Sequence, residues 1–138
     1  MLKRWIIGSL YTMLIILSLV PGCSAAPNKP TDADEIAETM FQAVLEEDYT
    51  TYRNSFSEDL QAQLFSAEEF SQTVSQILEQ YGEYTGSSLK YSGFEVMEDE
   101  LLKIYYKAIF SKDDDVEVVL ICRVRNGETV VEGFQINP

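Results

Sequence analysis

Twenty-three carboxylates, eight tyrosines and two cysteines are the groups through which this 138-residue chain can do chemistry, and it has no histidine. The missing histidine removes Ser-His and Cys-His nucleophilic pairs, His-ligated metals and the usual near-neutral general base. Of the two thiols, Cys23 follows a long apolar run and Cys122 lies in an alternating one. Cys122 has no histidine to activate it and reads as a small buried core residue. Paired carboxylates can hydrolyse glycosides when they flank a cleft at roughly 5 to 9.5 Å. With 23 acids, spacing selects no pair. Asp113-Asp114-Asp115 with Glu117 lacks the sixth-position glycine and distal glutamate of an EF-hand loop, so it reads as a solvated hairpin tip. Glu98-Asp99-Glu100 reads the same way. There is no Walker loop, Gly-x-Gly-x-x-Gly, Cys-x-x-Cys or Gly-x-Ser-x-Gly. No catalytic set, metal site or cofactor is therefore expected.

The tyrosines are the remaining candidates, since each offers an apolar body with a polar tip. Tyr49, Tyr52, Tyr81, Tyr84, Tyr91, Tyr105 and Tyr106 could line a pocket or its mouth. Packing in the core or at its rim is the competing reading. Tyr52, Tyr81 and Tyr106 share faces with core residues, so these three are expected to approach the interior and line any cavity there.

Charge narrows the partners. Ten Lys and Arg against 23 Asp and Glu give a net charge of -13. Nucleic acid is excluded as a partner, because phosphate contacts need Lys and Arg. A basic protein or peptide is favoured instead.

The first 22 residues read as an export signal. Lys3 and Arg4 form a positive start, and Trp5 to Val20 is an uncharged, mostly apolar run of 16 residues. That falls a little short of the roughly 20 needed to span a bilayer as a helix. The run exits through Val20-Pro21-Gly22-Cys23-Ser24. This exit resembles the bacterial lipobox, in which an aliphatic residue, a variable one and a small one precede an invariant cysteine. The resemblance implies that Cys23 Sγ receives a diacylglyceryl group and that the chain is cut before it. Pro21 stands where Ala, Ser, Thr or Val is usual. Cleavage after Ala25 by ordinary signal peptidase and an uncleaved anchor are the alternatives. If Cys23 is acylated, Cys122 has no partner for an intramolecular disulfide. Cleavage before Cys23 leaves 116 residues and removes Lys3 and Arg4, so -13 becomes -15. Such a body is repelled by an anionic membrane within about 8 Å at physiological salt. Residues 23–31, with Pro27, Lys29 and Pro30 and no large apolar side chain, read as a tether. Residues 32–138 read as a single domain.

Within that domain, Asp32 and Glu35 have capping-box spacing. Ile36, Ala37, Met40, Phe41, Val44 and Leu45 form one helical stripe, which predicts a helix over 33–47. Tyr49, Tyr52 and Phe56 share a face of a second, shorter helix begun by Asp48. Ser66 and Glu69 form a true capping box ahead of Phe70, Val74, Ile77, Leu78 and Tyr81. Gly82 then supplies a stop, so a helix is predicted over 67–81. After Gly82 the period becomes two. Leu89 to Met97 predicts a weak strand interrupted by Gly93. Leu102 to Phe110, Val116 to Val124 and Val130 to Ile136 predict three more. Asn126-Gly127 is a hairpin signal. Helices first and a four-stranded antiparallel meander second make an α+β domain with the helices on one sheet face.

This element order resembles the nuclear transport factor 2-like (cystatin-like cone) superfamily, and within it small bacterial lipoprotein domains. The residues that carry the likeness are the first helical stripe, Glu47-Asp48-Tyr49, Tyr52, Phe56-Ser57, the Gln80-Tyr81-Gly82 exit and Gly133-Phe134. The resemblance covers about 34–138. It implies a curved sheet wrapped around a helix to leave a cone-shaped cavity. Enzymes of the superfamily place acid-base residues there, whereas many members only bind or dimerise. This chain lacks the His-Asp pair of the enzymatic members, so no catalytic residue carries over.

The expected function is a lipid-anchored module on the extracytoplasmic side of a bacterial membrane, which binds or interacts without catalysis. A small cone-fold isomerase, dehydratase or hydrolase acting on a small apolar molecule is one alternative. A structural module that forms a homodimer is another.

Overall fold

The structure is a computed structural model that describes residues 28–137. The export segment, Cys23 and most of the tether lie outside the described residues.

Helix α1 spans Ala33–Leu45 and buries Ala33, Ala37, Met40, Phe41, Ala43 and Val44. It stops two residues before the expected end. Glu47 takes a left-handed φ of 54°, and the Asp48 N–H turns back to the Ala43 carbonyl at 2.8 Å. The start also differs from expectation, because the Asp32 side chain caps nothing. Its carboxylate instead accepts the Thr129 hydroxyl at 2.7 Å, tying the helix start to the last strand. Local capping spacing is blind to a competitor so distant in sequence.

Helix α2 spans Tyr49–Asn54. Asp48 caps it, accepting the Thr51 N–H at 3.1 Å and the Thr51 hydroxyl at 2.6 Å. Glu58–Gln61 closes one further helical turn, α3. Helix α4 spans Ala67–Tyr81, as the spacing predicts, and begins in the reciprocal Ser66–Glu69 capping box. It ends at Gly82, whose φ of 82° disfavours any side chain. A Cβ there would also collide with the Ser111 hydroxyl.

Four antiparallel strands follow in spatial order β1-β2-β3-β4: β1 Lys90–Val96, β2 Leu102–Ala108, β3 Val116–Arg125 and β4 Glu128–Asn137. Asn126 and Gly127 both have positive φ, 52° and 79°, as a tight β3–β4 hairpin requires. Strand β2 ends at Ala108. Phe110, expected inside it, instead forms an isolated bridge with Tyr84. A bulge between Tyr91 and Gly93 breaks the period in β1. It switches parity, so Tyr91, Phe94 and Val96 oppose Tyr106, Ile104 and Leu102 and share their face.

The core lies between α1 and the inner face of β2 and β3. Leu102, Ile104, Tyr106 and Ala108 meet Val116, Val118, Leu120 and Cys122 there, all buried. The helices α2 and α4 close the β4 side: Phe56 bridges to Val131, and Tyr52 packs edge-on to Phe134. Strand β1 is different. It stands at the edge of the sheet and is exposed along nearly its whole length.

Candidate functional site

Chemistry-bearing side chains come together in several places, among them open depressions lined by Asp32 and Glu35 and by Glu38, Glu46 and Asp48; two hold tyrosines singled out from the sequence. The first is an acid-aromatic slot where α1 passes the inner face of β1 and β2. Asp34 sits in the first turn of α1, and Tyr106 projects from the middle of β2. The Tyr106 hydroxyl donates to Asp34 Oδ1 at 2.8 Å. Lys29 folds back from the chain ahead of α1, and its Nζ donates to both Asp34 oxygens at 2.7 and 2.8 Å. The same ammonium lies 4.0 Å from the centre of the Tyr91 ring. Tyr91 in turn packs edge-on to Tyr106. Lys29 is thus held by a carboxylate on one side and an aromatic face on the other.

The electrostatics of the slot follow from that contact set. Burial pushes the Asp34 carboxyl up, but the bonds from Lys29 and Tyr106 outweigh it and hold it below the usual carboxylate range. Burial, reinforced by the Asp34 charge, pushes the Tyr106 phenol well above its ordinary value. At neutral pH the slot therefore holds a carboxylate, a neutral phenol and an ammonium. It can grip a cation, as it grips Lys29.

The second feature is an apolar pocket of about 190 Å³ between α4 and β4. Its walls include Val44, Tyr52, Phe65, Phe70, Val74 and Phe134. The volume is below the roughly 300 Å³ at which small-molecule sites begin. Among the described residues, no carboxylate, lysine or cysteine lines it. Burial pushes the Tyr52 phenol up to about 12, so Tyr52 stays protonated and cannot act as a base near neutrality.

The three tyrosines singled out from the sequence are all buried, in separate surroundings. Tyr52 lines the apolar pocket and packs on Phe56 and Phe70. Tyr81 packs against Phe110 at the end of α4. Tyr106 belongs to the slot. The structure does not bring them together around one cavity. Sequence reasoning missed Lys29, Asp34 and Tyr91 as a unit. Lys29 reads as tether, Asp34 as a first-turn acid and Tyr91 as one aromatic among many. Only the fold joins them, and no periodicity signals it.

Among the other candidates, the Tyr49 hydroxyl donates to the Phe65 carbonyl at 2.6 Å and pins the loop before α4. The Tyr84 hydroxyl is buried with no hydrogen-bond partner among the described residues. Cys122 is buried and free, and desolvation pushes its thiol up to about 11. Asp114 and Asp115 are exposed, while the run is shaped by its own contacts: Asp113 accepts the Asp115 N–H, and Asp115 pairs with Lys107. Glu98, Asp99 and Glu100 form an exposed turn. Among the described residues, no three of His, Cys, Asp and Glu come together as a metal-binding group. No described helix is long and apolar enough to cross a membrane. Comparison with known proteins found no family model, no curated protein and no solved structure that matches the chain.

Proposed function

We propose that this protein is a lipid-anchored, extracytoplasmic interaction module that works without catalysis, with a basic protein or peptide as its partner. The observation that carries the non-catalytic part is the lining of the apolar pocket: its one titratable group, Tyr52, is locked in its neutral form. A hydrolase or isomerase needs an acid or base whose proton moves near working pH. The acidic groups lie outside that pocket.

The charge of -13 supports the choice of partner. Of the eight Lys and Arg among the described residues, four are paired with acids: Lys29 with Asp34, Lys107 with Asp115, and Arg123 and Arg125 with Glu132. The acids are in large excess over these pairs, so the field around the body stays negative and draws in positive segments. The α+β arrangement of helices on one side of an antiparallel meander is compatible with the cone fold, which we propose as its finer class.

Anchoring rests on the Val20-Pro21-Gly22-Cys23 exit from the apolar run. Two acyl chains on Cys23 hold a protein stably where one would be marginal. Membrane fractionation tests it. The wild-type chain is expected in the membrane fraction, and Cys23→Ala is expected to leave it or to accumulate as uncleaved precursor. Unchanged processing and partitioning in Cys23→Ala contradict acylation.

A further inference from the structure

Strand β1 is the least covered strand of the sheet. Its cross-strand partners Ile104 and Leu102 are buried at 0% and 1% exposure. Phe94 and Val96, on the same face one strand over, remain 39% and 45% exposed. Tyr91, farther along that face, is 46% exposed and already carries a cation. Strand β1 also ends the sheet, and among the described residues no backbone bond brings another segment to its free edge. Bare edges of this kind are usually blocked by a bulge, a charge or a covering segment. Here the bulge and Lys90 are present, while the apolar face is left open.

We propose that the free edge and inner face of β1, with the Asp34–Tyr91 slot, dock an extended cationic segment of a partner protein, and that a lysine of the partner displaces Lys29. The inference rests on the reading of the domain as an interaction module and names its contact surface. Three observations select this occupant. Lys29 shows which group the slot accepts: a primary ammonium held by a carboxylate and an aromatic face. Lys29 can leave, because it lies ahead of α1 and no backbone bond among the described residues holds Asn28 or Lys29. Net charge favours a basic segment: Glu98, Asp99 and Glu100 follow β1 after Met97 and the whole chain carries -13, against the local lysines Lys90, Lys103 and Lys107 of β1 and β2. A second copy of this chain would bring like charge to like. An extended segment adding to β1 would pair with its backbone. It would lay alternate apolar side chains on Phe94 and Val96 and present a lysine to the slot.

The test uses the full chain in detergent and a labelled peptide of alternating lysine and valine. Wild type is expected to bind it, and Lys29→Ala to bind it roughly three- to ten-fold more tightly, because the competing ammonium is gone. Lys112→Ala makes the same charge change elsewhere and is expected to leave affinity unchanged. Asp34→Asn keeps an acceptor for Tyr106, and Tyr91→Leu alters an exposed position. Each is expected to weaken binding at least roughly five-fold. Hydrogen exchange over residues 88–97 is expected to slow with peptide bound. Absence of binding to Lys29→Ala overturns the proposal. So does equal affinity across all variants, unprotected β1 amides, or a dimer that forms through β1 and excludes the peptide. Equal affinity would still leave a module that binds cations elsewhere, and the membrane test on Cys23 is independent of every one of these outcomes.

Discussion

At the scale of single residues, burial decides which groups react. Cys122 is fully buried with a thiol pushed up to about 11, so it is neither ionised nor reachable at neutral pH. A disulfide-exchange reagent at pH 8 is expected to modify it only as fast as the protein unfolds, and rapid stoichiometric labelling of the native state would contradict this. Tyr52 gives a sharper case. Its folded value of about 12 exceeds the unfolded value near 10, so the unfolded chain releases the proton first as pH rises. Its contribution is fully present below about pH 10 and is lost as pH climbs toward 12. Tyr52→Phe removes that loss while keeping the ring. The unfolding free energy of the variant, measured in urea, is therefore expected to fall less steeply than that of wild type between pH 10 and 12, by up to about 2 kcal/mol at the upper end. Parallel curves would show that the phenol is solvated. Lys29, Asp34 and Tyr91 mark the limit of reading residues in sequence. Asp34 and Tyr106 are 72 positions apart, and their hydrogen bond exists only because α1 crosses β2.

At the scale of elements, legibility follows the range of the signal. Helix α4 could be read to the residue, because its box of Ser66 and Glu69 and its stop at Gly82 are local instructions. Strands β2 and β3 are legible from alternation and the β3–β4 turn from Asn126-Gly127, whereas β1 is only weakly so because its bulge breaks the period. Helix α1 was read two residues too long and with the wrong cap, because Thr129 competes for Asp32 and because Glu47 turns left-handed without a glycine to announce it. The short α3 has no periodic stripe to reveal it. Gly82 is where an element depends most on a single residue. Gly82→Ala forces a Cβ onto a left-handed φ and into Ser111, whose hydroxyl accepts the Glu83 N–H at 3.0 Å. A loss of about 1 to 3 kcal/mol in urea denaturation is expected. A neutral substitution would mean that the α4 exit relaxes without cost.

At the scale of the whole molecule, the inner sheet face is covered by α1 and the α2–α4 side but, among the described residues, left open along β1. Among the described residues, the pocket between α4 and β4 is lined without a carboxylate, and the cation-holding slot lies beside the exposed strand. The fold class was legible as helices followed by a meander; the open strand was not, because coverage depends on where α1 lands across the sheet. We propose that this acidic body is held at a membrane through Cys23. Intact-mass spectrometry of the protein from its native membrane decides the matter. A chain beginning at Cys23 and carrying a diacylglyceryl group is expected. An unmodified amino terminus, upstream or downstream of Cys23, would contradict it.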